Sequence, residues 1–203
     1  MSSFTYEWNK PDTELETYEW DNVWIDQAND RETKRVLYIG DSISCGTRRL
    51  CTEVADGEYL FDGFGTSKAV DNPYFLDSVR LFAAQEKKRE VIIFNNGLHG
   101  WHLDDEIEYA SHYEQLLTGI AAALPNTPVY VVLTTSVEDA EREERVITRN
   151  RVAREIAEKH GMSVIDLYSV SVENVALRTS DGVHFSADGC RRFAERIVAD
   201  IRG

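Results

Sequence analysis

The chain has 203 residues, 42% hydrophobic and 29% charged, which is enough for one domain with a sizeable core and too apolar for a disordered protein. Its formal net charge of −14 argues against nucleic acid or an anionic membrane as a partner. No stretch approaches the ~20 apolar residues of a membrane span, and the opening MSSFTYEWNKPDTELETYEWD has neither a basic nor an apolar segment, so no signal peptide is expected. Cys45, Cys51 and Cys190 are odd in number and lack paired spacing, the pattern of a reduced, cytoplasmic protein.

Residues 1–34 are polar and acidic yet carry Tyr6, Trp8, Tyr18, Trp20 and Trp24. Disordered tails are poor in aromatics, so this segment is expected to be an arm packed on the domain, with one short strand at most. From residue 35 onward, short apolar runs alternate with helical patterns. Strands are expected at 35–39, 58–62, 91–95, 129–134 and 163–167, as near-continuous apolar runs of the kind buried on both faces of a sheet.

Helical periodicity runs through 73–85 (Leu76, Val79, Phe82) and 104–124 (Ile107, Ala110, Leu117, Ile120, Leu124). It recurs in 138–160 (Val146, Ala153, Ile156, Ala157) and in 186–201, where Ser186 is a cap ahead of Phe193, Ile197 and Ile201. Five βα units of this kind predict a three-layer α/β/α sandwich on a five-stranded parallel sheet, flavodoxin-like, in the order 2-1-3-4-5.

The chemistry-bearing residues fall at element boundaries. The run Val36–Ile39 breaks at Gly40, and Asp41 and Ser42 stand where a helix begins, which puts a hydroxyl at the ligand-binding edge of the sheet. A helix start also offers free N–H groups and partial positive charge to an oxyanion. Cys45 is the alternative nucleophile, though buried packing suits it better. Asp181-Gly182-Val183-His184 supplies a carboxylate and an imidazole on one turn before the last helix, and serine, histidine and aspartate are the parts of an acyl-transfer site. With the order 2-1-3-4-5, the Asn95-Asn96-Gly97 turn and Gly65 flank the crevice at Ser42.

His99, His102 and His112 lie near Asp104, Asp105 and Glu106, but their spacing is loose for a metal, and no metal or organic cofactor is expected. His99 is read as a substrate-facing group beside the oxyanion turn. Trp101 either lines the pocket or packs in the core.

These residues resemble the blocks of the SGNH (GDSL-type) hydrolases over roughly 35–201. Gly40-Asp41-Ser42 matches the nucleophile block, with Ile43 where many members have leucine. Gly65 in DGFGTSK matches the glycine block better than Gly63, and Asp181 and His184 match the last block. Phe94-Asn95-Asn96-Gly97-Leu98-His99 is similar to a bacterial subgroup with a Phe-Asn-x-Gly-Leu-His pattern, pointing to Asn95 as the oxyanion asparagine and less to Asn96.

The resemblance implies a hydrolase domain over 35–203, with Ser42, Asp181 and His184 catalytic and Ser42, Gly65 and Asn95 forming the oxyanion hole. It implies a serine esterase acting through an acyl-enzyme on carboxylic esters; the short connections and the polar segments GFGTSK and GLHGWHLDD, with one indole, suit small acyl groups, above all acetyl groups on carbohydrates. Small-molecule esters are then the partners, and the oligomeric state stays open. Two alternatives remain. One is an acyltransferase with the same triad. The other is a non-enzymatic module binding an anion at the Ser42 helix start, which a missing Gly-rich phosphate loop speaks against.

Overall fold

In a computed structural model, residues 14–85 and 89–203 are described; Tyr6 and Trp8 of the expected arm lie outside them. The elements run β1 (Asp21–Trp24), β2 (Lys34–Gly40), α1 (Ser42–Ala55), β3 (Tyr59–Thr66), α2 (Phe75–Ala83), β4 (Val91–Phe94) and α3 (Glu106–Ala123). They continue with β5 (Val129–Val132), α4 (Ala140–Lys159), β6 (Ser163–Ile165), α5 (Leu167–Glu173), a 3₁₀ turn (Val175–Leu177) and α6 (Ala187–Arg202).

The sheet order is β1-β3-β2-β4-β5-β6. This corrects the expected five-stranded, all-parallel sheet: the sheet has six strands and is mixed. β2 to β6 are parallel, and β1 pairs antiparallel with β3 at the edge. The four residues of β1 are exposed and polar at Asp21 and Asn22, so no buried apolar run marks them in the sequence. Pairing with β1 also carries β3 on to Thr66, so Gly63 and Gly65 sit inside a strand rather than in the following loop.

Alternation along the strands divides the core in two. Leu37, Ile39, Ile92, Phe94 and Val131 face Phe75, Leu117, Ile120 and Ile156 of α2, α3 and α4. Val36, Tyr38, Phe61, Ile93 and Val132 face Ile43, Phe193, Ile197 and Val198 of α1 and α6. Burying each such side chain contributes about 1.5–3 kcal/mol. In α3 the inward stripe is Tyr109, Tyr113, Leu116, Leu117 and Ile120, whereas Ile107, expected inside, is 80% exposed.

Helix starts follow the side-chain caps. Asp41, Asp105, Asp139, Asp166 and Ser186 each accept a backbone N–H of the first turn. Under the sheet, the buried Asp62 carboxylate pairs with Arg35 at 2.7 Å and Arg89 at 3.0 Å. Among the described residues, no helix is long and apolar enough to cross a membrane.

Candidate active site

β2 ends at Gly40, where a Cβ would lie 2.8 Å from the Ser44 Cβ, so only glycine lets α1 turn back this tightly. Asp41 then caps α1: its Oδ1 accepts from Ile43 N at 2.9 Å and its carbonyl accepts from Cys45 N and the Ser44 hydroxyl. Burial pushes the Asp41 carboxyl pKa up, with His99 and His184 opposing, and its Oδ2 has no hydrogen-bond partner among the described residues. Ser42 is the first residue of α1, a position whose N–H has no acceptor within the helix.

The 142-residue gap to His184 closes at the C-terminal edge of the sheet. The turn Thr179–His184 is tied by Thr179 N donating to His184 O at 2.8 Å and by Gly182 at φ 75°. Asp181 Oδ1 accepts from the N–H groups of Val183 and His184, each at 2.9 Å, and from the Thr179 hydroxyl. Its Oδ2 meets His184 Nδ1 at 2.8 Å, and His184 Nε2 meets Ser42 Oγ at 2.7 Å. The His184 and Val183 N–H groups and the His184 ring hold the Asp181 carboxyl well below the usual carboxylate range. With its proton on Nδ1, the imidazole donates to Asp181 and leaves Nε2 to accept the Ser42 proton.

The expected oxyanion donors are placed differently. Asn95, expected as the side-chain donor, spends its amide on the Val132 carbonyl at 2.8 Å and the Thr134 hydroxyl at 3.0 Å. Both amide hydrogens are thereby engaged toward β5, away from Ser42. The Asn96 amide instead donates to Lys68 O at 2.9 Å, leaving one hydrogen, and its Oδ1 is buried without a partner among the described residues. Gly65 pairs with Gly40 on one side and Asn22 on the other. Ser67 N donates to Trp20 O at 3.1 Å, and the two-residue alternation of an antiparallel ladder turns Gly65 N–H to Asn22 as well. Edge strand β1 thus occupies the donor that the sequence offers for an oxyanion. Among the expected donors this leaves Ser42 N–H and the Asn96 amide.

Other expected residues divide between the site and the core. Cys45 Sγ fills the space beside Gly65, 2.3 Å from where a Cβ would stand, and burial raises its thiol pKa, which disfavours a nucleophilic thiolate. Glu16 Oε1 lies 3.4 Å from His99 Nδ1. Trp20 meets the His99 ring edge-on at 6.1 Å, and Glu16 also accepts from Gly100 N at 3.0 Å. The Glu16 contacts have no signal in the sequence, because Glu16 lies 84 residues from its partner Gly100.

Trp101 is half-buried and covered by the guanidinium groups of Arg142, Arg145 and Arg149 at 5.6, 5.3 and 4.9 Å, which fits packing better than an open substrate platform. His102 bonds Asp71 at 2.9 Å. Among the described residues, no three His, Cys, Asp or Glu side chains are grouped to hold a metal ion.

Beside the Asp181 turn lies a groove of about 280 Å³ lined by Val137, Glu138, Asp139, Arg142, Asp181, Gly182 and Val183. A larger cavity of about 450 Å³ between the N-terminal ends of α3 and α4 touches neither Ser42 nor His184.

No family model matches the sequence, and no curated protein matches it. Solved structures share the fold. A carbohydrate acetylesterase from Sinorhizobium meliloti is 14% identical, with a TM-score of 0.64 over 84% of this chain and 99% of its own. The acetyl xylan esterase AlAXEase is 16% identical, with a TM-score of 0.63 over 82% and 99%. A lipase/acylhydrolase from Enterococcus faecalis is 18% identical, with a TM-score of 0.66 over 84% and 96%.

Proposed function

We propose that the protein is an SGNH (GDSL-type) serine esterase that removes small acyl groups, acetyl above all, from carbohydrate esters. The observation that carries this reading is the unbroken contact chain Ser42 Oγ–His184 Nε2–His184 Nδ1–Asp181 Oδ2, at 2.7 and 2.8 Å.

In the proposed cycle, Ser42 Oγ attacks the ester carbonyl while His184 Nε2 takes its proton. The tetrahedral oxyanion is met by Ser42 N–H and the remaining amide hydrogen of Asn96, a donor of a type worth about 3 kcal/mol of barrier. His184 returns the proton to the departing alcohol, leaving an acyl-Ser42 ester. Water then attacks the acyl carbon as His184 Nε2 takes its proton, and that proton passes to Ser42 Oγ as the acyl–Oγ bond breaks and the carboxylic acid leaves. Asp181 holds the imidazole orientation and stabilises the imidazolium. The proposed cycle draws on no cofactor.

Carbohydrate as the alcohol is favoured by the polar groove at the Asp181 turn, where Glu138, Asp139 and Arg142 present groups that match sugar hydroxyls. It is favoured also by the likeness to two structures named as carbohydrate acetylesterase and acetyl xylan esterase. The three free cysteines support a cytoplasmic location.

The test is a chain-length series of p-nitrophenyl esters beside peracetylated sugars, with wild type and Ser42→Ala. Acetyl esters are expected to give the highest kcat/KM, with release of acetate from the sugars and no activity in the variant. A preference for octanoyl or longer, each methylene adding about 0.8 kcal/mol, would replace the carbohydrate reading with a lipid one. Full activity in Ser42→Ala would remove the nucleophile assignment.

A further inference from the structure

One buried side chain of α4 binds four carbonyls of the turn that follows Asn96, beside Arg145, which binds those of Trp101 and Leu103. Arg149 is 4% exposed and makes no ion pair among the described residues. Its Nη1 donates to Gly97 O at 3.1 Å and His99 O at 2.8 Å, and its Nη2 donates to Gly100 O at 2.6 Å and Leu103 O at 3.4 Å. The Trp101 and Tyr109 rings meet the guanidinium, with centroids 4.9 and 4.5 Å from it. The Tyr109 hydroxyl then donates to Asn96 O at 2.7 Å, so the same assembly reaches the backbone of the asparagine itself.

A buried cation without a counter-ion is costly, and filling this space calls only for an apolar side chain. What a guanidinium adds is a rigid planar fork able to bind several carbonyls at once, which lysine cannot reproduce. Neighbouring Asn150 does the matching work on the next loop: its Oδ1 accepts from Thr134 N at 2.7 Å and its Nδ2 donates to Thr134 O at 2.9 Å. The two loops meet without slack, because a Cβ on Gly97 would come within 2.1 Å of Thr134 Oγ1.

We infer that Arg149 is a positioning residue for the esterase reaction: it fixes residues 97–103 from behind, so that the Asn96 amide and His99 stand at the Ser42 crevice. This rests on the function proposed above. Arg149 is remote in sequence from every motif residue and touches none of the reacting atoms.

The experiment is steady-state kinetics on p-nitrophenyl acetate with wild type, Arg149→Ala and Arg149→Lys, each normalised to active sites titrated with a serine-directed phosphonate. Because loop misplacement costs transition-state contacts more than ground-state binding, kcat per titrated site is expected to fall about tenfold or more in both variants, with KM within about twofold. Added guanidinium is expected to restore part of the alanine variant's kcat.

A kcat per site within about twofold of wild type in the lysine variant overturns the inference, and that variant decides the matter if the alanine form does not fold. Loss confined to the number of titratable sites also overturns it, since it shows a purely structural role. No hydrolysis by wild type overturns the esterase reading and the inference with it, whereas wild-type hydrolysis with unchanged variants overturns the inference alone.

Discussion

Asn96 reaches from the end of β4 to the Lys68 carbonyl beyond β3, donating at 2.9 Å. Because β2 lies between those two strands, this bond bridges the crevice above Ser42. Asn95, one residue earlier, turns the other way to Thr134 beyond β5. Asn96→Ala is therefore expected to cut kcat by roughly 10²-fold with KM little changed. Asn95→Ala is expected to act on stability, costing about 1–3 kcal/mol in urea unfolding as Val132 and Thr134 lose their donor. The opposite pattern would return the oxyanion role to Asn95.

Asp181→Asn is expected to lower kcat by roughly 10⁴-fold, because an amide facing Nδ1 favours the tautomer whose proton sits on Nε2, where it no longer accepts from Ser42. Stopped assays with p-nitrophenyl acetate check this. A loss no larger than tenfold would show that Asp181 is dispensable for orienting His184.

The same residue carries a pH signature. Its folded pKa lies below the ordinary value of 3.8, so its stabilising contribution is fully present above that value and is lost as pH falls through the lower folded one. The difference in Tm between wild type and Asp181→Asn is expected to shrink as pH falls below about pH 4. Calorimetry across this range tests it, and a gap that keeps widening below about pH 4 would contradict the assigned contacts.

Asp62 is fully buried between Arg35 and Arg89, both themselves buried. Asp62→Ala leaves two desolvated guanidinium groups without their shared counter-ion and is expected to cost about 3–5 kcal/mol in urea unfolding. A loss under 1 kcal/mol would show that water or backbone carbonyls replace the carboxylate.

Gly65→Ala would place a Cβ 2.3 Å from Cys45 Sγ. Destabilisation of about 1–3 kcal/mol is expected, as for other overpacked sites, and Cys45→Ala in the same chain is expected to recover most of it. Additive losses in the double variant would locate the strain in the β3 backbone instead.

Ser42, Asp181 and His184 are legible in the sequence because each stands at a boundary that Gly and Asp mark: Gly40 and the Asp41 cap before α1, Gly182 inside the turn before α6. The parallel strands are legible because both faces are covered and their cores read as short runs of aliphatic and aromatic residues. The choice between Asn95 and Asn96 is not, since successive residues at a strand end point to opposite sides and the Asn95 partner is fixed by Thr134 far along the chain. Ile107 follows the helical period, yet it lies in the first turn of α3 and is exposed, so the period does not imply burial there. The place of β1 within the arm is not legible, because its pairing with β3 is made by backbone groups and by polar side chains such as Asp21, which accepts from Thr66 Oγ1.

That short strand also bears on how the chain survives outside the folded state. β3 is buried along all eight residues, YLFDGFGT, and without Asp21–Trp24 its outer row of N–H and C=O groups would form an open sheet edge. Such an edge recruits strands from other molecules. β1 covers it with four exposed residues, and Trp24 is pinned near the guanidinium groups of Arg48 and Arg49 at 5.9 and 5.4 Å. A chain trimmed to begin at residue 34 would keep Ser42 and His184 yet leave β3 open to self-association, so Asp21–Trp24 act as a guard on that edge.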